Sequence, residues 1–299
     1  MPAHQRGIFA EGTPHHHFLE FRLRTAAKPR ELAAALQQVL AEGPGAQGAV
    51  WQVAAFGPGL AERLPGLSLP AGFSAFHELR SREGHVAPAT QRDLWLWLHS
   101  AGHDELFDAA VAAARGLEAV AELEEDRPAF VYRDSRDLSG FVDGSANPKG
   151  DEALETALIP AGQPGEGGAV VLTQRWVHDL HRLKLWSVPE QERLIGRTKD
   201  ASVELPEDEM PATAHIRRME VEVDGKELAI YRRSVPYGTA GEHGLYFLAF
   251  SAEQARFELM LRRMFGLAAD GLRDSLLGFT RPVSGSFWFA PSEESLRQL

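Results

Sequence analysis

Asp93-Leu94-Trp95-Leu96-Trp97-Leu98-His99 is the stretch from which the fold can be read. Leu94, Leu96 and Leu98 alternate with Trp95 and Trp97, the period of a strand. The next run, His103 to Gly116, reads as an amphipathic helix. Working back toward the N-terminus, Leu60 to Pro88 is irregular and rich in Gly and Pro, and Ala49 to Phe56 is an apolar strand. Before it, Pro29 opens a helix that runs through Leu40 and stops at Gly43-Pro44-Gly45. His17 to Thr25 alternates as a half-buried strand. Working forward, Leu117 to Asp126 reads as either strand or helix.

The second half repeats this plan. Ala169 to Val177 is an apolar strand, and His178 to Leu185 and Pro189 to Gly196 are short helices. Arg217 to Val223 and Glu227 to Ser234 read as strands joined by Asp224-Gly225, a hairpin dipeptide. Gly244 to Phe250 is a strand, Ala252 to Phe265 a helix, and Phe287 to Phe289 a last apolar piece. Between the halves, Asp134 to Gly150 and Pro160 to Gly168 are rich in turn residues. The pattern predicts an α+β fold of two duplicated ferredoxin-like modules, antiparallel sheets with peripheral helices. The expected boundaries are 1–133 for the first module, 134–168 for a linker loop and 169–299 for the second module. A length of 299 residues suits two domains.

Composition narrows the function. Thirty-one basic residues against 42 acidic ones leave a net charge of −11, which argues against nucleic acid and against an anionic membrane surface. No cysteine is present, so thiolate metal sites, disulfides and cysteine nucleophiles are excluded. Met1 to Thr13 does not read as a secretory signal and no apolar run is long enough to span a bilayer, so a cytoplasmic protein is expected. Dinucleotide, Walker, nucleophile-elbow and zinc-helix motifs are all missing.

Four features bear on chemistry. His15-His16-His17 is conspicuous, but neighbours on an extended chain point to opposite faces and do not converge on one ion. Gly140-Phe141-Val142-Asp143-Gly144 is either a tight turn or a backbone that presses close to a planar ligand and aims Asp143 at it. His215, after an acidic loop, is either a ligand or a histidine satisfied in the fold. From Leu228 to Ser234, period two puts Leu228, Ile230, Arg232 and Ser234 on one face. Arg232 there either meets an anion or dipole, or reaches water from the strand end.

Taken together these segments resemble one family. The run from Gly140 to Pro148 looks like the signature of dye-decolourising peroxidases. Gln5 to Phe9, Ala214 to Arg218, Arg232 to Gly238, Asp274 to Thr280 and Gly285 to Pro291 resemble its other blocks, in order and over nearly the whole chain. The chain resembles the bacterial, intracellular B-type subfamily. The resemblance implies one haem b per chain, held in the C-terminal half. It implies His215 as the axial iron ligand, hydrogen-bonded to Asp274, and Asp143, Arg232 and Ser234 on the distal side. Asn147, Gly144 and Phe141 would contact the cofactor. The implied activity is reduction of hydrogen peroxide through a ferryl intermediate and oxidation of dyes, phenols or other one-electron donors. A homo-oligomer is also implied. Two other readings fit the same residues, a haem-handling protein that releases iron or delivers haem, and a ferredoxin-like relative that binds no haem. Most of the six Trp and four Tyr read as core, and the rest as candidate electron relays.

Overall fold

The computed structural model describes residues 2–42, 49–223 and 225–299. The helix stop at Gly43-Pro44-Gly45 and the Asp224 half of the hairpin dipeptide lie outside the described residues. The first half contains β1 (His15–Leu23), α1 (Pro29–Glu42), β2 (Val50–Phe56), β3 (Leu94–Ser100), α2 (His103–Leu117) and β4 (Ala121–Phe130). A short helix, α3 (Asp151–Ala157), precedes the second half. There follow β5 (Ala169–His178), α4 (Val188–Ile195), α5 (His215–Met219), β6 (Tyr231–Arg232), β7 (Val235–Gly238) and β8 (His243–Ser251). The chain closes with α6 (Gln254–Met264), β9 (Thr280–Pro282) and β10 (Ser286–Ala290).

These strands form one antiparallel sheet in the order β6-β8-β5-β10-β2-β3-β1-β4, with β7 also on β8 and β9 on β5. The order holds the same motif twice. In each half the fourth strand lies beside the first, the first beside the third, and the third beside the second, the ferredoxin-like arrangement. The halves join at the pair Phe56↔Phe289. At the other end β7 packs on β4, so the sheet folds back on itself.

Alternation in β3 explains the layers. Leu94, Leu96 and Leu98 enter a core shared with α1 and α2, while Trp95 and Trp97 enter a second core between the two halves of the sheet. Phe18, Tyr231, Tyr237, Tyr246, Phe250 and Trp288 fill the rest of that inner layer. A third core lies between the second half-sheet and α6, around Phe257, Leu261 and Phe265. Trp95 and Trp97 are fully buried, which adds several kcal/mol of apolar transfer each, at about 25 cal/mol per Å².

The three histidines of β1 alternate as the strand period requires, and no metal-binding cluster occurs among the described residues. His16 is buried in the inner layer, where Trp97 Nε1–H donates to its Nδ1 (3.0 Å) and its own Nε2–H donates to the Thr13 carbonyl (2.9 Å). His99 stacks on Trp97 at 4.2 Å, accepts from the Thr13 hydroxyl and donates to the Gly7 carbonyl. Burial pushes His16 down to about 3 and His99 to about 2, so both are neutral; His99 packs in the core, and His16 also borders a cavity that Asp143 and Arg232 line.

Three local expectations are corrected. Leu117 to Asp126 divides, with α2 ending at Leu117 and β4 beginning at Ala121. Arg217 to Val223 is not a strand; it contributes to α5, and only Glu222–Val223 pairs with Lys226–Glu227. Arg218 accounts for this. Its buried guanidinium pairs with Asp270 (2.7 and 3.1 Å) and the Arg263 carbonyl, and Arg263 in turn donates to the carbonyls of Arg217 and Arg218. The strand expected from Glu227 to Ser234 is broken: Glu227 pairs in that small hairpin, Tyr231 and Arg232 pair with β8, and pairing resumes at Val235. The period-two grouping holds at its end: Arg232 and Ser234 face one cavity, and Tyr231 enters the inner core opposite.

Candidate active site

The loop from Arg133 to Pro148 is built by local hydrogen bonds. Asp137 N–H donates to the Phe141 carbonyl (2.9 Å), Gly140 N–H to the Asp137 carbonyl (2.8 Å), and Asn147 N–H to the Gly144 carbonyl (3.0 Å). Gly140 and Gly144 have φ of 92° and 76°, where a side chain is strained. At Gly140 a Cβ would also strike Lys199. At Gly144 it would meet nothing within 4 Å, because that position faces open space. The segment is thus both a tight turn and an open approach. Arg133 and Ser135 adopt positive φ as well (49° and 63°), strain of a kind that collects at functional sites. Arg136 ties the loop to the second half through the carbonyls of Lys199 (2.7 Å) and Asp200 (3.0 Å).

A cavity of about 580 Å³ opens beside this loop. Asp143, Gly144, Asn147, Arg232 and Ser234 all line it, together with Tyr132 and Arg233. Five residues singled out in sequence therefore converge from two distant segments. Asp143 is half-buried at the cavity wall, and desolvation raises its carboxyl above the ordinary range; Arg232 opposes the rise and Asp137 adds to it. No ion pair within 4 Å engages the Asp143 or Arg232 side chain among the described residues. Asn147 and Ser234 are engaged with backbone: Asn147 with Arg232, and Ser234 with Leu248. Phe141 is buried beneath the Lys199 ammonium, 5.3 Å from its ring centre, and does not line the cavity.

His215 opens α5, and its Nδ1–H donates to Asp274 Oδ2 at 2.7 Å. Asp274 is fully buried and caps a 3-10 turn, its Oδ1 accepting from Leu276 N–H at 2.8 Å. Ser275 stitches the two segments, donating from its N–H and its hydroxyl to Thr213. Neither His215 nor Asp274 lines the cavity. Nε2 of His215 makes no hydrogen bond among the described residues. An imidazole fixed through Nδ1 by a buried carboxylate, with Nε2 open, is the donor set that suits a haem iron. The residues present fit that group.

Two supporting residues escaped the sequence reading. Asp137 is half-buried, and desolvation would raise it, but the His178 charge and bonds from His178 and Ser139 outweigh that and hold it at about 2. His178 Nε2–H donates to Asp137 at 2.9 Å, and its Nδ1 pairs with the Thr280 hydroxyl at 2.6 Å. The signal available was only a charged run, Asp134 to Asp137, ahead of the glycine motif.

A duplicated ferredoxin-like fold with an imidazole–carboxylate couple and a cavity lined by Asp and Arg defines an oxidoreductase of the haem peroxidase type. Comparison with known proteins agrees. The description "Dyp-type peroxidase, C-terminal" matches residues 134–295. The dye-decolorizing peroxidase of Mycolicibacterium paratuberculosis is 36% identical over 248 residues, covering 82% of this chain and 70% of that one. A structure of a Dyp-type peroxidase protein from Shewanella oneidensis superposes with a TM-score of 0.92 at 32% identity, over 100% of this chain and 99% of that one. A variant of DypB from Rhodococcus jostii RHA1, solved in complex with heme, gives 0.90 at 32% identity over 99% and 98%. The chain belongs to the Dyp-type peroxidase family, in its B-type branch. No helix among the described residues is long and apolar enough to cross a membrane.

Proposed function

We propose that the chain is a haem b peroxidase that reduces hydrogen peroxide and draws electrons one at a time from dyes, phenols or similar donors. The observation that carries the reading is the pairing of His215 with fully buried Asp274, in a chain whose Asp143 and Arg232 share one cavity. Bound haem supplies the redox chemistry, accepting oxidising equivalents from peroxide and passing them to donors. His215 would hold the iron through Nε2, and the Asp274 carboxylate makes that imidazole a stronger donor. In its ionised form Asp143 takes a proton from one peroxide oxygen and returns it to the other, which leaves as water. Arg232 stabilises the negative charge that grows on the departing oxygen. Gly144 gives the peroxide an unobstructed approach, and Ser234 holds the strand that carries Arg232. In this reading 134–168 is the distal loop between modules 1–133 and 169–299.

The test is a visible spectrum of the protein purified from haem-sufficient cells, before and after peroxide. A haem band that changes with peroxide is the expected result, and His215→Ala should abolish the band. A band that ignores peroxide would favour a haem-handling role, and no band would remove both readings.

A further inference from the structure

Arg232 lies on a two-residue piece of edge strand, paired with β8 on one side only. An edge residue presents an N–H and a C=O on its outward side, and both need partners. Asn147 supplies them. Its Oδ1 accepts from the Arg232 N–H at 2.8 Å, and its Nδ2–H donates to the Arg232 carbonyl at 2.9 Å. One side-chain amide thus takes the place of a neighbouring strand for one residue. On the inward side, Leu248 N–H donates to the Ser234 hydroxyl at 3.2 Å, and Arg233 N–H donates to the Leu248 carbonyl at 2.8 Å. The segment is therefore held from both sides, Arg232 by Asn147 and its two successors by Leu248, while the Arg232 guanidinium stays at the cavity.

Asn147 belongs to the same turn as Asp143, closed by the bond from its own N–H to the Gly144 carbonyl. The spacing between the two residues sets the carboxylate and the clamp on one rigid unit. We propose that Asn147 is a positioning residue: through its two bonds to the Arg232 backbone it fixes the Arg232 guanidinium relative to Asp143, so that the proton acceptor and the positive charge keep one geometry. The proposal rests on the peroxidase reading of Arg232 given above, and extends it from a residue that lines the cavity to one that acts through another.

Two measurements test it on the intact protein. The first is hydrogen exchange of the Arg232 amide by NMR. Asn147→Leu keeps the shape of the side chain and removes both bonds, so exchange should quicken by about tenfold or more. Unchanged exchange overturns the proposal. The second is a cycle of stopped-flow peroxide reactions on the haem-loaded protein. Asn147→Leu should slow the reaction by about ten- to a hundredfold, and Asn147→Leu combined with Arg232→Leu should be no slower than Arg232→Leu alone. Effects that multiply would show that Asn147 acts apart from Arg232, and would overturn the proposal. Should Asn147→Leu fail to fold, Asn147→Asp keeps the acceptor for the N–H and loses the donor to the carbonyl. Its amide should stay protected while peroxide reacts more slowly, and a wild-type rate there overturns the proposal. A protein that takes up no haem would remove the peroxidase reading instead, and the exchange result would then decide the clamp by itself.

Discussion

The two halves of the chain share a strand order and treat their second strand differently. In the first half that strand is β2, seven residues without a break, and α1 covers the path to it from β1. In the second half it is split into β6 and β7 at a sheet edge, and the path from β5 runs from residue 179 to residue 230 through short helices. The unbroken strand satisfies its backbone with neighbouring strands and spends its side chains on packing. The broken one must satisfy its backbone with side chains, and those side chains bring Asp143 and Arg232 to one cavity. Stability should therefore concentrate in the first half and chemistry along the break.

The largest expected effect is in the regular half. Trp97 is fully buried in the inner layer, so Trp97→Ala should cost about 3–5 kcal/mol in urea unfolding. A loss under about 1 kcal/mol would mean that the layer between the half-sheets does not hold the fold. Glu20 lies in the same layer, where Trp95 donates to the Tyr246 hydroxyl and that hydroxyl donates to Glu20 at 3.1 Å. Burial first, and then the Glu125 charge, raise Glu20 from 4.5 to about 7 against Arg92, Tyr246 and Arg175. Between those values the folded chain holds the proton more tightly than the unfolded one, so this contribution weakens as pH rises through about 7. Glu20→Gln should be more stable than the parent by about 3 kcal/mol at pH 8, the gap closing toward pH 4.5. An equal gap at both pH values would show that Glu20 does not titrate in the fold.

Along the break the balance should invert. Arg232→Leu should slow the peroxide reaction by about a hundredfold while leaving unfolding within about 0.5 kcal/mol of the parent. A large loss of stability would place Arg232 among the packing residues. Asp143→Ala should slow the reaction less, since an ordered water can relay a proton and cannot replace a fixed positive charge. Because Asp143 titrates above the ordinary carboxylate range, the rate should fall with acid along a limb that begins early. That limb should flatten in Asp143→Ala and move to higher pH in Arg232→Leu, where the opposing charge is gone. Rates measured across about pH 4 to 8 for the three proteins would expose a different base if the limb survives in Asp143→Ala.

What the sequence made legible follows the same division. The Leu–Trp alternation of residues 94–98 and the helix after it are local signals, and both elements form there. The glycine motif announced a loop because two residues in it need positive φ. Residues 217–219 deceived, since the turn of helix depends on Asp270, 52 positions away, meeting Arg218. The strand break at Ser234 was equally hidden, because it depends on the Leu248 amide choosing a hydroxyl as its acceptor. Asp274 could be paired with His215 only through the family resemblance, as no spacing rule links residues so far apart.

The seam between the halves has a consequence for assembly. Along the sheet the halves pair at Phe56 with Phe289, β7 packs on β4 at the far end, and the aromatic layer lies between them. Each half is thus an unfinished surface that needs its sibling as a template. A chain opened in the exposed turn at residues 161–164 would leave Asp143 and Asn147 on one fragment and His215 and Arg232 on the other. Neither fragment would own a site. Haem capture would then serve as a coincidence detector, reporting only those fragments that had found each other and refolded as one.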